Sequence, residues 1–187
     1  MIKESDEELV RKIVENNEHQ LFGELYERYK TKVYHKCISF SKDQDGAQDL
    51  LHDVFLKTFT SLNKFSGRSS FSTWLYSITY NYCVDYARSK KKMRTEDIDA
   101  RVDISEKDDE KNEAELMSMK AERLARVLES INPKEKALLL MKFQDGFSIK
   151  EIMEILNLSE SAVKMRIKRA KASALDSYYE LFEAEVV

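Results

Sequence analysis

Apolar residues in the first half of the chain recur at the three- and four-residue spacing of amphipathic helices. Ser5 and Glu8 form the pattern of a capping box, which predicts a short helix to about Asn16. Three more helices are predicted. Their apolar faces are Leu21, Phe22, Leu25, Tyr26 and Tyr29 in a helix running towards Phe40, then Leu51, Val54, Phe55, Thr58, Phe59 and Leu62, then Phe71, Trp74, Leu75, Ile78 and Tyr82.

Capping residues mark where these helices begin. Asp45 with Gln48 is predicted to cap the second of the three, because an acidic side chain followed three residues later by Gln can satisfy two free backbone amides. A turn is expected around Gly67, and Ser69 or Ser70 is predicted to cap the long helix that follows.

The second half of the chain predicts four helices. They cover residues 116–131, a segment from Asn132-Pro133 to the break at Asp145-Gly146, a short segment from Ser148 with Glu151 to Leu156, and a final segment from Ser159 through at least Leu175. Asn157 suits the left-handed conformation at the end of the short helix.

Composition supports an all-α fold and excludes several classes of protein. The 187 residues include only 4 Gly and 1 Pro, too few for the turns of an all-β sandwich or barrel. Neither glycine-rich nucleotide-binding motif is present. The two cysteines, Cys37 and Cys83, are far apart and have no C-x-x-C partner. We therefore expect no disulfide framework, no metal site, no cofactor and a reducing compartment.

The chain opens without an apolar segment behind a basic start, and no stretch approaches eighteen consecutive apolar residues. We expect a soluble cytoplasmic protein with no membrane insertion.

Charge is strongly segregated along the chain, although the formal net charge is only −3. Five basic residues lie within 88–94, whereas 95–115 holds ten acidic and three basic residues and few apolar ones. Such a segment buries too little surface to offset the entropy of ordering. We therefore predict two helical domains, 1–94 and 116–187, joined by a flexible acidic linker over 95–115.

The segment 148–174 is typical of a helix-turn-helix, with a tight turn at 157–159. In its second helix Val163, Ile167, Ala170 and Ala174 should face inward. The outer side is predicted to contact DNA phosphates and base edges through Ser161, Lys164, Met165, Arg166, Lys168, Arg169 and Lys171. An ordinary solvated face is less favoured, because acidic residues are missing from 162–171.

Aromatic and cationic residues interleave between 65 and 94, a pattern typical of proteins that bind single-stranded nucleic acid. Phe71, Trp74 and Tyr82 share the apolar face and are expected in the core. The predicted DNA contacts are therefore residues outside the apolar face and the basic residues that follow them in sequence. They are Tyr80, Asn81, Arg88, Lys90, Lys91 and Lys92, with Tyr76 as a further candidate.

Two sequence segments resemble a known family. Residues 49–56 (DLLHDVFL) and 71–78 (FSTWLYSI) resemble region two of bacterial RNA polymerase sigma factors of the small extracytoplasmic-function type. Residues 146–152 (GFSIKEI) and 158–164 (LSESAVK), with Arg169-Ala170, resemble region four of the same family. The two motifs occur in the same order, and at a similar separation, as regions two and four of that family.

The resemblance implies a promoter-specific transcription initiation factor, not an enzyme. Asp49, Leu50, Asp53, Val54 and Phe55 would dock on the clamp helices of the largest subunit of core RNA polymerase. Residues around 80–82 and the basic run would recognise and open the minus-ten element, with Asn81 near a flipped base. The final helix would recognise the minus-thirty-five element. Region four would also bind the flap of the second-largest subunit, the linker would occupy polymerase channels, and an anti-sigma factor is a possible further partner.

Two other functions remain open from the residues alone. A helix-turn-helix repressor or activator would bind duplex DNA as a dimer, but no dimerisation segment is visible. A metal-dependent nuclease would use clustered carboxylates such as Asp108-Asp109-Glu110, but these lie in the predicted flexible linker.

Overall fold

The computed structural model describes residues 4–96 and 113–182, and the α-helices within those ranges carry the fold. They are α1 (Asp6–Glu15), α2 (Phe22–Ser41), α3 (Gln44–Thr60), α4 (Phe71–Glu96), α5 (Glu113–Ser130), α6 (Pro133–Leu139), α7 (Ile149–Leu156) and α8 (Glu160–Phe182). Short 3₁₀ turns lie at His19–Leu21 and Leu62–Lys64, and a π-helical turn lies at Leu140–Gln144. The predicted all-α fold class is confirmed.

The chain folds into two compact units. The first comprises Met1–Lys90 with Lys150–Leu158, and the second comprises Lys91–Ile149 with Ser159–Val187. The short helix α7 thus groups with the first unit, although it lies within the predicted domain over 116–187. Most of the predicted linker lies outside the described residues, but its two ends are helical, since α4 extends to Glu96 and α5 begins at Glu113.

The start of α1 has the predicted capping box. The Glu8 backbone N–H donates to Ser5 Oγ (3.2 Å), and the Ser5 backbone N–H donates to Glu8 Oε2 (2.9 Å). The helix ends at Asn16 as expected, and its inner face buries Leu9 and Ile13.

Two neighbouring carboxylates attach α1 to two other helices. Asp6 accepts hydrogen bonds from Arg28 Nη1 (2.6 Å) and from the Tyr29 hydroxyl, both on α2. Glu7 Oε1 accepts a hydrogen bond from the backbone N–H of Phe71, the first residue of α4, at 3.0 Å. Burial and the bond to Asp6 together raise the pKa of Tyr29 above its ordinary range.

The corner between α2 and α3 differs from the sequence prediction. Lys42 adopts the left-handed conformation (φ 70°) and ends α2, and Asp43 is extended. Asp43 Oδ1 then accepts a hydrogen bond from the Gly46 backbone N–H at 2.6 Å and caps α3. The predicted cap of Asp45 with Gln48 is therefore wrong, because the chain reverses at Lys42 and re-enters a helix before Asp45.

The apolar face of α3 is largely as predicted, with Leu51, Val54, Phe55 and Thr58 buried. Phe59 is the exception and is 39% exposed, although its ring makes an edge contact with Phe22 (5.0 Å between centroids). Gly67 turns with a positive φ (69°), and Ser70 Oγ accepts from the Thr73 N–H (3.2 Å), so the predicted turn and the cap of α4 are confirmed.

The second unit has a small core formed by α5, α6 and α8. Asn132 caps α6 by accepting from the Lys134 backbone N–H (2.9 Å), with Pro133 at the first helical position, as predicted. The core comprises Ile131, Leu139 and Ala170, with Leu128 and Ala174 packed against it. The predicted break after α6 is also confirmed, because Gly146 has a positive φ of 72°.

Candidate nucleic-acid interface

Helix α8 has a continuous exposed cationic face. Val163 and Ala170 are completely buried, and Ile167 and Ala174 are partly buried, which confirms the predicted inner side. The opposite side exposes every residue predicted for it, namely Ser161, Lys164, Met165, Arg166, Lys168, Arg169 and Lys171. The cations of this face lie between Lys164 and Lys171, about two helical turns, and no acidic residue occurs between Ser161 and Leu175 to offset their charge.

The beginning of α8 is fixed by local chemistry. Asn157 has a φ of 51°, as the sequence predicted for the end of α7. Ser159 Oγ accepts a hydrogen bond from the Ala162 backbone N–H (3.4 Å) and caps α8. Lys164 Nζ lies 2.5 Å from Glu160 Oε1, and this hydrogen bond lowers the pKa of Glu160. Both side chains are largely exposed, so Lys164 can exchange Glu160 for another anion at little free-energy cost.

One aromatic residue beside this face was missed from the sequence. Phe143, in the π-helical turn, is 59% exposed, and the ammonium of Lys171 lies 4.7 Å from its ring centroid. The sequence places Phe143 on an apolar stripe, and only the π-helical turn shows that its ring lies at the surface.

The outer side of α4 exposes four of the six residues predicted to contact DNA: Asn81, Arg88, Lys91 and Lys92. They follow one another over three turns towards the basic end of the helix. This arrangement suits contacts with a nucleic-acid backbone.

The prediction for Tyr80 is wrong, because its side chain is only 2% exposed and is not available as a stacking surface. The buried side of α4 includes Phe71, Leu75, Thr79 and Cys83. Thr79 can lie there because its hydroxyl donates to the Leu75 carbonyl (3.0 Å). Trp74 and Tyr82, predicted in the core from their apolar spacing, are only half-buried, because the buried side of α4 also includes the polar Thr79.

Lys90 is held by the protein itself. Its Nζ donates to Asp43 Oδ2 (2.9 Å), to the Ser41 carbonyl (3.1 Å) and to the Tyr86 hydroxyl (3.3 Å). The sequence had grouped it with the other basic residues of the run as a DNA contact.

The predicted polymerase-docking residues fall on two sides of α3. Asp49 and Asp53 are exposed. The other three, Leu50, Val54 and Phe55, are at most 5% exposed and belong to the core, which corrects their assignment as direct contacts. Leu56 shares the face of Asp49 and Asp53 and is 63% exposed. The helical spacing of 49, 53 and 56 was the signal that could have identified it.

The second unit also has an apolar groove of about 520 Å³ between α5 and α8. It is lined by Lys120, Arg123, Leu124, Val127, Lys171, Ala174, Leu175 and Tyr178. Leu124 is 58% and Leu175 52% exposed, so this is accessible apolar surface bordered by cations.

The part of the chain that the structure describes has neither a candidate metal site nor a helix that could span a membrane. Its His, Cys, Asp and Glu side chains form no group of three or more that could hold a metal ion. Of the helices described, none combines the length and apolar character needed to cross a bilayer.

Family comparisons match both units. The profile of sigma-70 region 2 matches residues 25–93, and that of sigma-70 region 4 matches residues 121–173, together about two thirds of the chain. The ECF RNA polymerase sigma factor SigX of Bacillus subtilis is 28% identical over 173 residues, covering 90% of this chain and 88% of that protein. SigW of the same organism is 27% identical over 170 residues, covering 86% and 90%.

Solved structures share the fold. CnrH, solved in complex with the cytosolic domain of CnrY, superposes with a TM-score of 0.65 at 21% identity and covers 92% of this chain and 96% of its own. The sigma factor RpoE of Bartonella quintana, solved in complex with the anti-sigma factor NepR, superposes with a TM-score of 0.57 at 18% identity, covering 83% and 95%.

Proposed function

Because the chain belongs to the extracytoplasmic-function type of the sigma-70 family and directs promoter-specific initiation by RNA polymerase, we propose that distinct surfaces of its helices contact the polymerase and the two promoter elements. Sigma factors act on RNA polymerase in the cell interior and are generally not catalytic. We extend this to the chain: it works by binding and is not itself an enzyme.

The polymerase-docking surface is the exposed side of α3. Asp49 and Asp53 supply two carboxylates, and Leu56 supplies an accessible apolar side chain between charged neighbours. A few central side chains carry most of the free energy of such interfaces. Leu50, Val54 and Phe55 hold the helix from its buried side. The proposed partner is the pair of clamp helices of the largest subunit.

The minus-ten element is recognised and opened at α4. Asn81 has an amide that can donate to and accept from a base edge, and Arg88, Lys91 and Lys92 would neutralise phosphates of the separated strand. Opening a base pair costs a few kcal/mol, and capture of an unstacked base offsets that cost. With Tyr80 in the core, Asn81 and the cations carry this proposal.

The minus-thirty-five element is recognised by α8, and the exposure of all seven predicted residues on this helix is the observation that carries the proposed function. A helix enters the major groove, where Arg and Lys bind guanine edges and phosphates. Met165 (51% exposed) offers an apolar contact, which suits a thymine methyl group.

The groove between α5 and α8 is proposed as the second protein-binding surface. Its apolar floor and the cations Lys120, Arg123 and Lys171 suit an amphipathic helix with acidic flanks. Within the transcription complex this would be the flap of the second-largest subunit. RpoE is held by the anti-sigma factor NepR, and we propose that a regulator of that type also binds this chain.

Association with core polymerase tests the docking surface. Asp53→Lys reverses an exposed charge on α3 and should abolish co-purification with core RNA polymerase while leaving the far-UV circular dichroism unchanged. Glu15→Lys makes the same charge change on the exposed side of α1 and serves as the matched control. If Asp53→Lys co-purifies as well as Glu15→Lys, the docking assignment is wrong.

A further inference from the structure

One carboxylate joins the docking helix α3 to the basic end of α4. Asp43 Oδ1 accepts the hydrogen bond from the Gly46 N–H (2.6 Å) that caps α3. Its other oxygen, Oδ2, accepts a hydrogen bond from Lys90 Nζ at 2.9 Å. The same side chain therefore fixes the first turn of one helix and a lysine near the basic end of the other.

Lys90 has two further oxygen partners around the same corner, which we call the α2–α3 corner (residues 41–46). Its Nζ donates to the carbonyl of Ser41 (3.1 Å) and to the Tyr86 hydroxyl (3.3 Å), and it lies 5.4 Å from the Tyr86 ring centroid. Ser41 is completely buried, and its hydroxyl donates to the Asp43 carbonyl (2.9 Å). An ammonium group has three protons, and three acceptors surround this one.

Gly46 lies in close contact with side chains of α4 and of the α2–α3 corner. A Cβ atom built on Gly46 would lie 2.5 Å from the Tyr86 hydroxyl oxygen and 2.8 Å from Asp43 Oδ1. Only glycine leaves room for Tyr86 and Asp43 to meet Lys90 at this point. The contact between Asp43, Tyr86 and Lys90 thus depends on the glycine at position 46.

We propose that Lys90 is a positioning residue, which sets the direction of the basic end of α4 by tying it to the α2–α3 corner, and that it does not contact DNA. This inference rests on the proposed function, in which the exposed residues of α4 contact the opened strand. To bind a phosphate, Lys90 would have to leave three oxygen acceptors. Arg88, two residues earlier, is exposed and can bind without such a loss.

The charge states support this arrangement. The hydrogen bonds with Asp43 and Tyr86 raise the pKa of Lys90, and the bond to Lys90 lowers the pKa of Asp43. Both partners are therefore charged near neutral pH. Their side chains are 43% and 50% exposed, so the ion pair adds little to the stability of the fold. Its effect is on the direction of α4.

The salt dependence of DNA binding separates positioning from phosphate contact. The full chain is titrated with a fluorescein-labelled oligothymidylate over a range of KCl concentrations, at a temperature at which circular dichroism shows every variant folded. Arg88→Ala should flatten the plot of log affinity against log salt by about 0.7, the value for one phosphate contact on a single strand. Lys90→Ala should weaken binding several-fold at every salt concentration and leave the slope unchanged.

Asp43→Asn provides the matched variant for the carboxylate. Asparagine caps helices as well as aspartate does, so α3 keeps its cap and only the charge that holds Lys90 is removed. This variant should reproduce part of the effect of Lys90→Ala, because the Ser41 carbonyl and the Tyr86 hydroxyl still accept from Lys90. The double variant should bind no more weakly than Lys90→Ala alone, because both changes act on the same contact.

Three results would overturn the inference. A flattened slope in Lys90→Ala would make Lys90 a phosphate contact. Unchanged affinity in Lys90→Ala and Asp43→Asn would reduce the pair to a surface contact with no effect on α4. If instead Arg88→Ala leaves the slope unchanged, the assignment of α4 to DNA fails, and the inference about Lys90 fails with it. The Arg88 variant therefore distinguishes a failure of the proposed function from a failure of the Lys90 inference alone.

Discussion

Replacing Lys164 and Lys168 together by alanine should make promoter binding markedly less sensitive to salt. Both side chains are exposed on the cationic face of α8, and alanine favours the helix at least as much as lysine does. The variant therefore removes two charges without disturbing the buried side, where Val163 and Ala170 lie.

The magnitude follows from the number of charges removed. Each phosphate contact on duplex DNA contributes about 0.9 to the slope of log affinity against log salt, so two contacts contribute about 1.8. When salt is raised fourfold, the advantage of the unmodified chain over the variant should shrink about 12-fold. Lys164 is paired with Glu160, but that pair is exposed and yields readily to a phosphate.

The assay is fluorescence anisotropy of a labelled promoter duplex with the full chain assembled on core polymerase, repeated over a range of KCl concentrations. Contacts made by the polymerase itself cancel, because only the difference between two forms of the chain is compared. The matched control is Lys32→Ala with Lys134→Ala, two exposed lysines on α2 and α6 that are not assigned to DNA. If the Lys164/Lys168 variant has the same slope as this control, α8 does not contact phosphates and the recognition helix is misassigned.

Two further predictions concern stability. Because burial and the bond to Asp6 raise the pKa of Tyr29 in the folded state, its stabilisation is complete below the unfolded-state pKa of about 10 and is lost as pH rises above it. In urea unfolding, Tyr29→Phe should therefore lose about 1 kcal/mol at neutral pH and show a shallower alkaline decline than the unmodified chain; equal declines would contradict this. Asn157 has a φ of 51°, so Asn157→Gly should be nearly neutral, whereas Asn157→Val should lower the free energy of unfolding by about 1–2 kcal/mol in the same measurement. Equal stability of the two variants would refute the left-handed cap.

Features governed by neighbouring residues could be predicted from the sequence. Ser5, Ser70 and Asn132 each cap a helix within three residues of themselves, and the left-handed Asn157 depends on its own side chain. The exposed side of α8 could also be predicted, because helical spacing separates Val163 from the cations around it.

Features governed by distant parts of the chain could not be predicted. The cap of α3 depends on where α2 ends: α2 ends at the left-handed Lys42, so Asp43 and not the predicted Asp45 caps α3. Tyr80 is buried because its side of α4 lies against other helices, and no local pattern encodes that side. The partners of Lys90 at the α2–α3 corner are more than forty residues away, so the run of lysines gave no sign that Lys90 was engaged there.

The bond from Glu7 to the backbone of Phe71 spans 64 residues. Its consequence concerns the start of α1: the opening turn of this helix supplies an acceptor for the first amide of the helix proposed to separate the DNA strands. A protease that trims that turn would leave this amide without its carboxylate and free the leading end of α4. An intact first turn of α1 therefore supports the beginning of the helix to which the proposed function assigns promoter opening.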